Sequence, residues 1–119
     1  MGLFFALEKV FSKELLKGTL KTIIFKLLAE NEKMYGYQIT QKVKEITAGK
    51  LELTEAALYP TLHKLEAKGL LTTEKEKVNG RTRKYYSLTL KGSEEKTIRL
   101  ADFEEFIRVM NLILKPKTV

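Results

Sequence analysis

The residues in this chain best suited to chemistry are cations. Between Lys75 and Lys84 the sequence sets Lys75, Lys77, Arg81, Arg83 and Lys84 against a single Glu76, so ten residues carry +4. Ammonium and guanidinium groups at this density suit the binding of phosphates or another polyanion. Material for bond-making chemistry is scarce by comparison. His63 is the only histidine and cysteine is absent, which excludes thiolate nucleophiles, disulfides and two-histidine sites, and leaves little for a Ser-His-Asp triad. No glycine-rich phosphate loop and no recognisably spaced carboxylate pair is present. The chain reads as a non-enzyme that calls for no cofactor and no metal.

The basic stretch belongs to a wider asymmetry. The chain has 119 residues, with 22 Lys+Arg against 15 Asp+Glu, a net +7. Residues 61–100 hold ten basic and five acidic groups, whereas residues 101–119 balance three against three. This length implies one domain, and 44% hydrophobic residues suffice for a globular core. The apolar opening Met1 to Leu7 lacks a preceding basic residue and is interrupted by Glu8 and Lys9, so no signal peptide is expected. Ala6 stands where N-myristoylation needs Ser or Thr, and Lys17, Lys21 and Lys26 break the apolar run from Leu15 to Ala29. A cytoplasmic protein without membrane association is expected.

Four helical patterns and one hairpin must position these groups. Leu3, Phe4, Leu7, Val10 and Phe11 recur at helical spacing. After Ser12, a candidate cap, Leu15, Leu16, Leu20, Ile23, Ile24, Leu27 and Leu28 continue that period, with Gly18-Thr19 as a break or a restart capped by Thr19. A second helix is expected over Tyr35 to Ile46, stopping at Ala48-Gly49. A third is expected to follow Thr54 as N-cap, carrying Leu58, Leu62 and Leu65 inward and ending at Gly69. Pro60 lies inside this third pattern and predicts a kink or a late start. From Leu70 the period becomes two. Asn79-Gly80 predicts a two-residue type I′ turn, which pairs Val78 with Arg81, Glu76 with Arg83, Glu74 with Tyr85, Lys75 with Lys84, Thr73 with Tyr86 and Leu71 with Leu88. Thr89 is a candidate cap for a long last helix, apolar at Ile98, Phe103, Phe106, Ile107, Met110, Ile113 and Leu114 and closed before Pro116.

Helix, helix, helix, hairpin, helix is the order of a winged helix-turn-helix. The fold class is therefore mainly α with a small β-hairpin, with an N-terminal helix and a long C-terminal dimerisation helix added. Residues 1–90 form the expected DNA-binding part and 91–119 the dimerisation helix and tail, within one compact domain. The outward face of the third helix reads Ala56, Tyr59, Pro60, His63, Lys64 and Ala67. Small residues allow close approach to a groove, while Tyr59, His63 and Lys64 can donate to bases or phosphates. Other roles stand beside these: Tyr59 as a half-buried packing residue, His63 as an ordinary surface histidine, and Tyr35 and Tyr37 as core aromatics. On the functional reading, Tyr37 and Gln38 touch phosphate at the start of the second helix.

The strings Tyr35-Gly36-Tyr37-Gln38-Ile39, Leu58-Tyr59-Pro60-Thr61-Leu62, Leu65-Glu66-Ala67-Lys68-Gly69-Leu70 and Arg83 to Gly92 resemble the PadR family of transcriptional regulators, in its shorter subfamily. The resemblance implies a homodimer that binds a roughly palindromic double-stranded operator and represses, with DNA contacts within Thr54 to Lys64 and Asn79 to Tyr86. Tyr37, Gln38, Thr54, Ala56, Tyr59, Pro60, His63, Lys64, Lys77, Arg81, Arg83 and Lys84 are the candidate DNA-binding residues. The apolar stripes supply the dimerisation candidates Phe4, Phe11, Phe103, Phe106, Ile107, Met110, Ile113 and Leu114; in the alternative, Phe103 to Leu114 folds back on its own core. Family members often respond to small hydrophobic effectors, some through a tryptophan pair. This chain has no Trp, leaving Phe4, Phe5, Phe103 and Phe106 as candidates to line another apolar cavity. The rival function is a winged-helix protein-interaction module whose hairpin charge meets acidic partners.

Overall fold

The protein was analysed as a computed structural model that describes residues 11–115. The expected helix over Leu3 to Phe11 lies outside them except for Phe11, as do Phe4 and Phe5. The described elements are α1 (Lys13–Lys17), α2 (Leu20–Glu30), β1 (Met34–Tyr35), α3 (Gly36–Ile46), α4 (Glu55–Ala67), β2 (Leu71–Val78), β3 (Arg81–Leu88) and α5 (Leu90–Leu114). Ser12 caps α1 by accepting from the Leu15 N–H. Gly18 ends that helix and α2 restarts at Leu20. Thr19 does not act as the cap: its hydroxyl turns back to donate to the carbonyls of Leu15 and Leu16.

The core forms where α2, α3 and α4 present their apolar faces to the base of the sheet. Ile24, Phe25, Ile39, Leu58, Leu62, Leu65, Leu70 and Tyr86 are fully buried there. Complete burial of one such side chain is worth about 1.5–3 kcal/mol, so this cluster, and not helix propensity, holds the short helices in place.

The hairpin has the register expected from its turn, from Leu71 opposite Leu88 to Val78 opposite Arg81. Asn79 and Gly80 both adopt positive φ, 52° and 77°, as a type I′ turn requires. A third strand was not anticipated. Met34–Tyr35 pairs antiparallel with β3, Met34 opposite Tyr86 and Tyr35 opposite Tyr85, giving the strand order β1-β3-β2. A strand therefore precedes α3, and that helix begins at Gly36.

Thr54 caps α4 by accepting from the Ala57 N–H. The late start expected at Pro60 is not seen, because α4 already begins at Glu55. The proline removes only the N–H that would meet the Ala56 carbonyl, and Ala56 is exposed, where water can satisfy that oxygen. After α4, Leu70 N–H bonds the Leu65 carbonyl and Gly69 N–H that of Glu66, a Schellman closure that turns the chain into β2.

Helix α5 is locked to the same corner. Thr89 accepts from the Gly92 N–H and donates to the Gly69 carbonyl. A Cβ at Gly92 would lie 1.9 Å from the Leu70 carbonyl oxygen, so only glycine lets the helix start this close. Arg99 Nε reaches Thr22 Oγ1 at 3.3 Å and Lys21 pairs with Glu95 at 3.3 Å, fastening the first half of α5 to α2. The second half does not fold back on the core: Phe106, Ile107, Ile113 and Leu114 are exposed, at 56%, 47%, 70% and 69%. Phe103 and Met110 are half-buried. No helix among the described residues is long and apolar enough to cross a membrane.

Candidate nucleic-acid interface

Helix α4 offers solvent the face its apolar spacing predicts. Ala56, Pro60, His63, Lys64 and Ala67 are exposed and Tyr59 is half-buried. Tyr59 is not a free donor. Its hydroxyl donates to Glu55 Oε1 at 3.0 Å, one helical turn back, and its ring stacks on His63 with centroids 5.9 Å apart. Burial raises the Tyr59 pKa and the Glu55 carboxylate raises it further, so the phenol stays protonated and the pair intact through neutral pH. A Cβ at Gly36 would stand 2.8 Å from the Tyr59 oxygen, so the glycine opening α3 makes room for this side chain. Glu55 was missed as a site residue, although its i, i+4 spacing from Tyr59 was readable.

At the start of α3, Tyr37 is exposed. Gln38 has a structural task instead: its Oε1 accepts the Tyr35 N–H at 3.1 Å, capping the helix.

Alternation along β2 and β3 divides the wing's charge between two faces. Lys75, Lys77 and Lys84 share a face with Leu71, Thr73, Tyr86 and Leu88, the face toward α4. Glu66 of α4 ties this junction, accepting from Thr73 Oγ1 at 3.0 Å and from Lys84 Nζ at 3.4 Å. The Lys84 ammonium lies 5.3 Å from the Tyr86 ring centroid. Partial burial pulls the Lys84 pKa down, but Tyr86 and Glu66 outweigh that, and the net shift is upward, leaving it charged.

Arg81 and Arg83 lie on the opposite, outer face with Glu74, Glu76 and Tyr85. The sequence pairs Glu76 with Arg83, and the backbone register agrees, but the side chains do not follow it. Lys33, from the α2–β1 connection, bonds both Glu74, at 2.9 Å, and Glu76. Arg83 instead lies over the Tyr35 ring, 4.5 Å from its centroid. Among the described residues no carboxylate lies within ion-pair distance of Lys64, Lys75, Lys77, Arg81 or Arg83. Lys33 was missed because its partners are 41 and 43 residues away in sequence. Among the described residues no cluster of three metal-ligating side chains occurs.

A capped helix with an open outward face, flanked by a basic antiparallel wing, defines a winged-helix transcriptional regulator. Residues 24–97 match the Transcriptional regulator PadR-like family, and the chain belongs to that family. Among its relatives, Transcriptional regulator Rv3488 of Mycobacterium tuberculosis is 34% identical over 96 residues, covering 81% of this chain and 86% of the relative. A transcriptional regulator from Clostridium thermocellum superposes with TM-score 0.77 at 27% identity, covering 89% of this chain and all of the other. A PadR family transcriptional regulator from Eggerthella lenta gives TM-score 0.73 at 26% identity, covering 87% and 88% of the two chains.

Proposed function

We propose that this PadR-family regulator is a cytoplasmic repressor that binds an inverted-repeat operator as a homodimer, placing α4 in the major groove and the wing along the adjoining backbone. The observation that carries this reading is the Glu66 junction. By tying Thr73 and Lys84 to α4, it makes the open face of α4 and the unpaired Lys75 and Lys77 parts of one surface. Ala56 and Ala67 permit close approach, Thr54 and Pro60 shape the helix that enters the groove, and His63 and Lys64 supply donors. Tyr37 is placed to reach phosphate at the start of α3. The inner lysines grip one backbone, and Arg81 and Arg83 on the outer face reach the next across the minor groove.

Phe11 and the exposed apolar residues of α5, with half-buried Phe103 and Met110, are the surface a second copy would cover. A two-fold dimer sets the two α4 helices about 34 Å apart, one turn of DNA. Beside this surface an apolar groove of about 320 Å³ runs between α2, α3 and α5, lined by Ile23, Leu27, Val43, Ile46, Leu100 and Phe103. It is the site proposed for a small hydrophobic effector; Phe106 does not line it.

Selection of bound duplexes from a random pool tests the reading. An enriched inverted repeat with half-sites one turn apart is the expected result. Equal competition by enriched and scrambled duplexes at moderate salt would favour a protein-interaction module.

A further inference from the structure

We infer that Lys33, remote in sequence from α4 and the wing, is a positioning residue for DNA affinity: by holding Glu74 and Glu76 it keeps Arg83 free to meet phosphate. The inference rests on the DNA-binding reading above.

The outer face of the wing contains an electrostatic conflict. Glu74 and Glu76 project from β2 on the same side as Arg81 and Arg83 from β3, and Glu76 stands directly opposite Arg83 in the backbone register. Opposite charges directly across an antiparallel pair attract. Left to themselves, Glu76 and Arg83 would pair and neutralise the outer face. Two free carboxylates beside a phosphate backbone would also repel it.

Lys33 resolves this conflict from outside the hairpin. Its ammonium bonds Glu74 at 2.9 Å and Glu76 as well, and lies 5.0 Å from the Tyr85 ring centroid. Three partners on one ammonium make a network, which holds position better than a single exposed pair. Tyr85 meets Tyr35 edge-on with centroids 5.3 Å apart, and Arg83 lies 4.5 Å over Tyr35. The order Lys33, Tyr85, Tyr35, Arg83 thus runs across the sheet, with a cation at each end and the two rings between. Lys33 takes the carboxylates, and Tyr35 gives Arg83 an alternative seat that leaves its guanidinium charge uncompensated. Both Lys33 and Tyr35 arrive through the short strand β1, which gives that two-residue strand a role in presenting the wing.

The test is a substitution cycle read by DNA binding across a salt series, using the full chain and a duplex enriched from a random pool. K33M frees the two carboxylates and is expected to weaken binding about five- to tenfold and to flatten the salt slope by about one to two units, because both the Lys33 charge and Arg83 are withdrawn. K33R keeps both bridges and should bind like the parent protein. In an E74Q/E76Q background, K33M should change affinity by no more than about twofold, since no carboxylate remains for Arg83 to join. Melting temperatures of the same proteins separate binding from folding. Loss of the same factor in both backgrounds would make Lys33 a direct phosphate contact and overturn the inference; so would K33M binding like the parent. If the parent protein itself fails to distinguish the enriched duplex from a scrambled one, the DNA-binding reading falls first, and that outcome is read without any variant.

Discussion

Helix α4 and the wing meet at Glu66, yet they are built on opposite principles. The outward face of α4 carries one cation, Lys64, among small, aromatic and neutral groups. Its most elaborate side chain, Tyr59, is spent on internal contacts to Glu55 and His63. The wing carries five cations, four of them without a carboxylate partner among the described residues. Fixed, nearly neutral groups discriminate by shape and a few hydrogen bonds, whereas unpaired cations attract any phosphate backbone. The difference assigns operator choice to α4 and affinity with its salt dependence to the wing.

Separating the two copies should cost both regions at once and have the largest effect. Glu at Phe106 and Met110 is expected to give folded monomers by light scattering, with operator affinity reduced about a hundredfold or more because each half-site is then bound alone. Unchanged dimer mass would remove these residues from the interface. The next effect belongs to the wing. Replacing Lys75, Lys77, Arg81 and Arg83 with Ala should flatten the salt slope by up to about four units and weaken all duplexes alike. Comparing the inner pair with the outer pair sharpens the account, since each should contribute about two units. The smallest effect belongs to α4. Glu55→Gln and Tyr59→Phe should shift preference at the same base pair by about tenfold or less, because each frees the other's partner. Shifts at unrelated positions would show that the pair does not act as a unit.

Local chemistry made much of the fold legible. The hairpin register followed from Asn79-Gly80 because that turn leaves no freedom in the pairing, and Thr54 and Thr89 cap α4 and α5 as their positions suggest. Strand β1 was hidden because two residues are too few to show a period, and Met34 and Tyr35 pair with a strand about fifty residues away. Pro60 misled because its cost depends on whether the orphaned carbonyl is wet, which periodicity does not reveal. In the candidate site, the exposed face of α4 was legible from Leu58, Leu62 and Leu65. The partner of Glu76 was not: backbone register names a cross-strand neighbour, but an ammonium from a distant loop reached the carboxylate instead. Gln38 likewise carries hydrogen-bonding atoms that suit phosphate, but the backbone of its own helix claims its oxygen.

The division of labour is tested most directly by measuring affinity against salt for enriched and scrambled duplexes, with the four-residue wing variant beside His63→Ala. The account predicts that the wing variant lowers the salt slope on both duplexes and preserves their affinity ratio, while His63→Ala changes the ratio and leaves the slope alone. A wing variant that loses the ratio at an unchanged slope, or two variants that behave alike, would contradict it.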